Sequence, residues 1–151
     1  MIDGVRIKLL TVNVDERGFL MEILRQDDDI FERFGQVYIS LNYPGVIRAW
    51  HYHQKQEDFI CAVKGMIKLA LYDPRPDSTT KGRVEEYFLG EQNPLLMRIP
   101  MQVIHGYKTI GFEPALIVNI PTQHYDRAQP DEYRLPWDTK DIPYDWALKN
   151  R

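Results

Sequence analysis

Residues 45–65 read GVIRAWHYHQKQEDFICAVKG and place two histidines and two adjacent carboxylates in one short stretch. His51 and His53 stand two positions apart, so on a strand both side chains point to the same face. Glu57 follows closely, and His105 comes much later, in RIPMQVIHGY. If another strand brings His105 to the first two histidines, the group forms either a metal site or a proton-transfer site.

Short segments rich in apolar and β-branched residues alternate with turn sequences along most of the chain. They predict ten strands, at 6–14, 19–24, 37–43, 46–53, 59–64, 66–72, 84–89, 95–99, 103–109 and 115–121. An acidic start favours a short helix at 27–34, and the proline-containing tail after Tyr125 is expected to be irregular, with a final helical turn near Trp146. The pattern indicates a single all-β domain over residues 1–151, a double-sheet jelly roll with a cavity between the sheets.

The composition narrows the class of protein. The 151 residues are 44% hydrophobic and 27% charged, as in ordinary soluble globular proteins. A net charge of -3 argues against nucleic-acid binding, and no apolar run approaches the roughly 20 residues of a membrane helix. The one cysteine, Cys61, is expected to be a buried, inert thiol. Because the start also lacks the pattern of a signal peptide, we expect a cytoplasmic protein with no nucleic-acid or membrane partner.

The spacing G-x5-H-x-H-x3-E-x7-G, followed by P-x-Q-x2-H, resembles the two sequence motifs of the cupin superfamily. In metal-binding cupins the matching residues hold a divalent metal, and here they are His51, His53, Glu57 and His105. Such a donor set suits iron, manganese, nickel or zinc. The second motif departs at Gln102, where cupins usually have glycine. The simpler alternative is that HYHQKQED forms a polar strand end and turn in contact with solvent, and that His105 is a core histidine unrelated to it.

Five blocks in order along nearly the whole chain resemble the dTDP-4-dehydrorhamnose 3,5-epimerase family, itself part of the cupin superfamily. They are DERGFLMEI, GVIRAWHYH, LYDPRPDSTTKGRVEEYFL, RIPMQVIHGY and PWDTKDIPYDW. The resemblance implies a homodimeric enzyme that inverts carbons beside the C4 ketone of a nucleotide-linked 4-keto-6-deoxy sugar. A base removes the α proton, an enolate forms, and an acid returns a proton to the other face, with no cofactor if hydrogen bonds or cations hold the enolate.

The resemblance also implies site residues. The family base falls on His51, and the second cavity imidazole falls on His105. Substrate-contacting positions fall on Arg17, Glu22, Gln36 and Arg48, of which the first two reach the nucleotide across the dimer. Arginine suits a diphosphate because its planar fork binds it bidentately. Alternatively, Arg17 and Arg48 form salt bridges on the protein surface.

The chain departs from the family at the proton donor. The expected tyrosine falls on Val118 or Asn119, and neither side chain is an acid, so Asn119 is kept only as a substrate-binding candidate. Tyr107, Tyr125 or His53 could return the proton instead, and Tyr125 is our candidate.

Two groups that surround the family base are also changed. The family's lysine falls on Asp58, and residues 147–151 contain no counterpart of the aspartate that orients the base. Glu57 or Asp58 could orient His51 instead.

These observations leave three functional hypotheses. The first is a nucleotide-sugar epimerase or ketoisomerase acting on a dTDP-4-keto-6-deoxyhexose, with His51 as the base. The second is a metal-dependent cupin, an isomerase or oxygenase, with His51, His53, Glu57 and His105 as ligands. The third is a non-catalytic sugar-binding relative that kept the cavity. The first two compete for His51, because a nitrogen that binds a metal cannot also take a proton.

Overall fold

The computed structural model describes residues 1–149 and shows twelve strands and no helix among them. The strands are β1 (Arg6–Leu9), β2 (Val12–Asp15), β3 (Gly18–Met21), β4 (Tyr38–Asn42), β5 (Ile47–Tyr52), β6 (Asp58–Lys64), β7 (Met66–Tyr72), β8 (Val84–Gly90), β9 (Leu95–Ile99), β10 (Ile104–Ile110), β11 (Ala115–Asn119) and β12 (Tyr133–Arg134). The predicted all-β fold is confirmed.

Ten of the strands form two antiparallel five-stranded sheets. The first sheet has the order β1-β9-β6-β11-β4, and the second has the order β12-β5-β10-β7-β8. The remaining two strands, β2 and β3, form a separate hairpin. Apart from the consecutive pair β7 and β8, neighbours within each sheet are not consecutive in the chain, as expected of a jelly roll. Strand β4 is left as an edge of the first sheet.

The main hydrophobic core lies between the two sheets, and strand β6 shows how the sequence builds it. Ile60 and Ala62 point into this core, whereas Phe59 and Cys61 point to the outer face of the first sheet. The alternation follows the period of two of an extended chain. The predicted burial of Cys61 is confirmed, since its side chain is inaccessible and burial raises the pKa of its thiol to about 12.

The predicted helix at 27–34 is wrong, because this segment forms turns. The Asp28 carboxylate accepts a hydrogen bond from the backbone N–H of Arg25 (2.8 Å) and forms an ion pair with Lys8. Such local bonds from aspartate compete with helical hydrogen bonding. Farther along, the backbone N–H of Gly35 donates to Pro121 (2.9 Å), which ties the segment to the first sheet.

Other boundaries also differ from the prediction. The segment 6–14 divides into two strands, and the short strand β12 lies in the tail that was expected to be irregular. The expected helical turn near Trp146 is not formed; this side chain packs against Trp50 on the outer face of the second sheet, with ring centroids 4.9 Å apart. Within the described part of the chain, no helix has the length and hydropathy needed to cross a membrane. A cytoplasmic location and a single domain stay predictions.

Candidate active site

Three histidines and one aspartate meet between the two sheets. The candidate ligand atoms of His51, His53, Asp58 and His105 all lie within 4.8 Å of one another. The rings of His51 and His105 are 4.1 Å apart between centroids, and His53 lies 6.0 and 5.9 Å from them. We call these four residues the histidine cluster. The three imidazoles therefore lie close together, as predicted.

The carboxylate of the cluster belongs to Asp58, so the expectation that Glu57 accompanies the histidines is corrected. Asp58 begins β6 and shares its inward face with Ile60, in keeping with the alternation along a strand. Glu57 points the other way and accepts a 2.5 Å ion-paired hydrogen bond from Arg98. Oδ2 of Asp58 lies 3.3 Å from Nε2 of both His53 and His105.

The pairing of β5 with β10 brings the histidines together. His51 and His105 are direct partners in the register of these antiparallel strands, which shifts just after His105. The approach is close at Gly106, where a Cβ atom would lie 2.3 Å from Cβ of Ala49. A glycine is therefore required beside the histidine for the two strands to pack in this way.

Backbone carbonyls fix which nitrogen of two imidazoles carries a hydrogen. Nδ1–H of His105 donates to the carbonyl of Val103 (3.0 Å), and Nδ1–H of His53 donates to the carbonyl of Asp131. Both Nε2 atoms are thereby directed toward Asp58. The carboxylate of Asp131 in turn accepts hydrogen bonds from three backbone N–H groups of the β5–β6 loop, at 54–56. Asp131 was missed because the irregular tail gave no pattern that points back to this loop.

The pKa values of His51 and His53, the two histidines of the HYH sequence, are shifted in opposite directions. Burial, reinforced by His105, lowers the pKa of His51 well below 6.5, so this imidazole is neutral at neutral pH. Burial also acts to lower the pKa of His53, but the contact with Asp58 and its charge outweigh burial and raise that pKa. The pKa of Asp58 is held well below its usual value by His105 and His53, although burial opposes this. A neutral imidazole thus lies beside one that favours its cationic form.

The cluster opens into a cavity of about 620 Å³, within the usual range for small-molecule sites. Five of the predicted site residues line it: Gln36, Arg48, His51, Asn119 and Tyr125. His53 lines it as well. His105 is only 1% exposed and is not among the residues that line the cavity.

The cavity has two walls, one from each sheet. His51, His53 and Arg48 come from the second sheet or its continuation, whereas Tyr38 and Asn119 come from the first. Tyr38 was missed as a site residue, although the alternation of Tyr38, Ser40 and Asn42 along one face of a strand is a signal that could have found it. The lining also includes Arg134, on the unpredicted strand β12.

Two predicted substrate contacts lie outside this cavity. Arg17 is in the turn of the β2–β3 hairpin and pairs with Asp15, and Glu22 lies just after β3 and accepts a hydrogen bond from Arg25 (3.1 Å). All four side chains are largely exposed. Within one subunit these residues do not contribute to the cavity lining.

The histidine cluster also fits a metal ion by its chemistry. Three imidazoles and a carboxylate are a donor set that iron, manganese, nickel and zinc accept, and the ligands would be His51, His53, Asp58 and His105. A bound metal would supply a Lewis acid for an oxygen anion.

Fold and site together define the class of protein: a cupin-type jelly roll with a cavity between its sheets and a cluster of histidines at that cavity. The family model for dTDP-4-dehydrorhamnose 3,5-epimerase matches residues 1–151. The chain belongs to this family, and it is an enzyme, a sugar epimerase.

Individual relatives agree with this assignment. The chain is 47% identical to the spore coat polysaccharide biosynthesis protein SpsL of Bacillus subtilis (strain 168), over 100% of both chains. It is 46% identical to the probable low-salt glycan biosynthesis epimerase Agl13 of Haloferax volcanii, over 96% of this chain and 94% of the relative. The crystal structure of a dTDP sugar isomerase from Desulfovibrio desulfuricans G20 is similar with a TM-score of 0.92 and 32% identity, covering 99% of this chain and 94% of the other. The resemblance inferred from the sequence is confirmed, and the other two functional hypotheses are not favoured.

Proposed function

We propose that the enzyme epimerises a dTDP-linked 4-keto-6-deoxyhexose at the carbons beside its C4 ketone, with His51 as the base. The observation that carries this proposal is geometric: His51 and His53 lie together on one wall of the cavity, and the ring of His51 is 4.1 Å from that of His105 between centroids. The opposite directions of the pKa shifts of His51 and His53 agree with it. A neutral imidazole can accept the α proton, and a neighbouring imidazolium can hold the negative charge that develops on the ketone oxygen.

The proton abstraction begins at His51. Its lone pair takes the proton from the carbon next to the ketone, and the electrons of the C–H bond move onto the C4 oxygen to give an enolate. Asp58 favours the cationic form of His53, since its Oδ2 lies 3.3 Å from Nε2 of that imidazole. His105 supports His51 from behind, at a centroid distance of 4.1 Å. We therefore assign His105 to positioning within the histidine cluster.

Polar groups at the cavity suit the rest of the substrate. Arg48 offers a guanidinium held by Asn42 through its Nε, and Arg134 adds a second cation that the family positions did not indicate. Gln36 accepts a hydrogen bond from the backbone of Tyr125 (3.0 Å), which leaves its amide N–H groups for the ligand. We propose that Arg48 and Gln36 contact the nucleotide-linked sugar.

We further propose a homodimer in which Arg17 and Glu22 reach the partner's cavity. Strand β4 is an unpaired sheet edge that exposes the side chains of Ile39 and Leu41, 65% and 53% accessible. The β2–β3 hairpin also exposes apolar side chains, those of Val14, Phe19 and Leu20. Edges and apolar patches of this kind are normally covered.

We also propose that catalysis needs no metal. The imidazolium of His53 provides the positive charge that the enolate requires, and a metal held by His51 would remove the lone pair that takes the proton. The metal-binding alternative and this proposal differ in one measurable property, the dependence of the rate on bound metal.

The test is deuterium uptake from heavy water into dTDP-4-keto-6-deoxyglucose, followed by mass spectrometry and NMR. The chelator-dialysed enzyme should incorporate deuterium beside the ketone and form the epimerised product at the undialysed rate. His51→Asn, which keeps a similar size but has no basic nitrogen, should lower both by about 10²–10⁴-fold, the usual contribution of a general base. Full activity of His51→Asn would overturn the base assignment, and binding of the nucleotide sugar without exchange would support a non-catalytic relative.

A further inference from the structure

The proposed reaction needs an acid on the cavity wall that faces His51. Inversion requires the proton to leave from one face of the sugar ring and to return to the other. His51 lies on β5 of the second sheet, and the wall that faces it is formed by the first sheet. The lining residues on the strands of that sheet are Tyr38, Ser40, Ile60, Ile117 and Asn119, of which only Tyr38 carries a phenol.

We propose that Tyr38 is the acid that returns the proton, and that Asn119 positions it. Tyr38 on β4 and Asn119 on β11 are direct partners in the antiparallel register. Nδ2–H of Asn119 donates to the phenol oxygen of Tyr38 at 2.7 Å. Because that oxygen accepts this bond, its own hydrogen is left to point into the cavity. Asn119 thus occupies the region where the family tyrosine was expected and holds a tyrosine from the adjacent strand.

The protonation state of Tyr38 suits an acid. Partial burial and the negative charge of Asp58 raise the pKa of Tyr38 above its ordinary value of 10.0, and the bond from Asn119 opposes them. The phenol is therefore protonated throughout the neutral range. Once the proton has left, the same amide N–H stabilises the phenolate, since a hydrogen bond to the charged form favours that form.

The other tyrosines of the cavity are less well placed. Tyr107 lies on β10, in the same sheet as His51, and its hydroxyl is 3.5 Å from the amide of Asn42. Tyr125, the candidate from the sequence, follows β11, and the bond that it makes to a cavity residue within the described part of the chain runs from its backbone N–H to Gln36, so nothing there orients its hydroxyl. The structure thus favours Tyr38 over Tyr125.

The step is balanced as follows. The enolate carbon forms a new C–H bond with the phenol hydrogen, the O–H bond of Tyr38 breaks, and the C4 oxygen returns to a ketone. Tyr38 is left as a phenolate and His51 as an imidazolium. Transfer of one proton between them through solvent restores both groups, so no oxidant, reductant or other reactant is needed.

The inference rests on the proposed function, and the experiment separates the two. Tyr38→Phe is compared with the wild type in heavy water, and deuterium uptake and epimerised product are measured in the same sample. We expect Tyr38→Phe to keep deuterium uptake within about threefold, with the configuration unchanged, and to lose product by about 10²–10⁴-fold. The base still works in this variant, whereas the return from the other face does not.

Matched controls are Tyr107→Phe and Tyr125→Phe, which each remove one hydroxyl from the same cavity. Both should form product within a few-fold of the wild-type rate, and Asn119→Ala should lower product formation more than exchange. Wild-type-like product formation by Tyr38→Phe would overturn the proposal, as would equal loss of exchange and product in a variant whose circular dichroism and melting temperature are unchanged. Absence of exchange in the wild type itself would instead count against the proposed function.

Discussion

At the scale of single residues, the site depends on two imidazoles that are two positions apart and have opposite charge preferences. The difference comes from their surroundings. His51 meets mainly other imidazoles and a low-dielectric interior, whereas His53 meets the buried carboxylate of Asp58. Pairs of titratable groups whose environments move their pKa values apart are a recurring design for acid–base chemistry at neutral pH.

The pH profile of kcat/KM should report both shifts. His51 must be neutral, so the rate should rise with pH through the pKa of His51, which is lowered below 6.5. His53 must be cationic, so the rate should fall as the pH passes its pKa, which is raised above 6.5. His53→Gln should therefore lower the rate and remove the alkaline limb. An alkaline limb that persists unchanged in His53→Gln would contradict the role of this imidazolium.

The three histidines could be predicted from sequence because the H-x-H spacing and the later motif have a simple strand geometry. The carboxylate could not be assigned in the same way. Glu57 and Asp58 are adjacent and chemically similar, and only the position at which β6 begins decides which one faces the core. The link from Asn119 to Tyr38 depends on the pairing of two strands that are far apart in the chain, which no local pattern encodes.

At the scale of elements, the close packing of β10 against β5 decides whether the imidazoles meet. This contact depends on Gly106, which lies between His105 and Tyr107 in β10. The strands themselves were predictable from their apolar and β-branched residues, but the segment 27–34 was not. Its acidic residues are compatible with the start of a helix, but they can equally accept hydrogen bonds from nearby backbone N–H groups. Contacts with Lys8 and with the first sheet stabilise the second arrangement, so the segment forms turns.

Gly106→Ala should destabilise the fold through this contact. The added Cβ would lie 2.3 Å from Cβ and 2.7 Å from Cα of Ala49, so the strands must separate. We expect a loss of about 1–3 kcal/mol in the free energy of unfolding, as for other overpacked sites, measured by urea denaturation. The activity of the folded variant should also fall, because His51 and His105 move apart.

The double variant Ala49→Gly/Gly106→Ala is the control for this effect. It removes Cβ of Ala49, the nearer of the two clashing atoms, and should recover part of the lost free energy of unfolding. Two independent sites would not show such a coupling. Equal stability of Gly106→Ala and the wild type would mean that the strands do not pack as closely as the structure indicates.

At the scale of the whole molecule, two surface elements each carry several exposed apolar side chains. They are the edge strand β4 and the β2–β3 hairpin, and the hairpin also carries the arginine that the family positions assign to the nucleotide. The same surface would then serve both assembly and substrate binding. Neither the assembly nor the role of Arg17 can be derived from one subunit, because both depend on a second copy of the chain.

Light scattering on a size-exclusion column should give twice the 17.9 kDa mass of the chain. Ile39→Lys, on the exposed face of β4, should shift the enzyme toward the monomer and weaken substrate binding through the loss of Arg17 from the partner's cavity. Phe112→Lys is the matched control, because this side chain is 99% exposed and lies in the loop between β10 and β11. A wild-type monomer, or equal effects of the two variants, would contradict the proposed dimer.

The two-walled cavity described above has a consequence for rate. Since β5 and β4 belong to different sheets, no backbone ladder between them sets the gap that separates His51 from Tyr38. That gap is set by side chains packed between the sheets, among them Ile60 and Ile117, which also line the cavity. The size of the side chains in the core should therefore affect the rate of proton transfer in this enzyme. A substitution as mild as isoleucine to valine changes the distance over which a proton must travel, even where it hardly alters the fold.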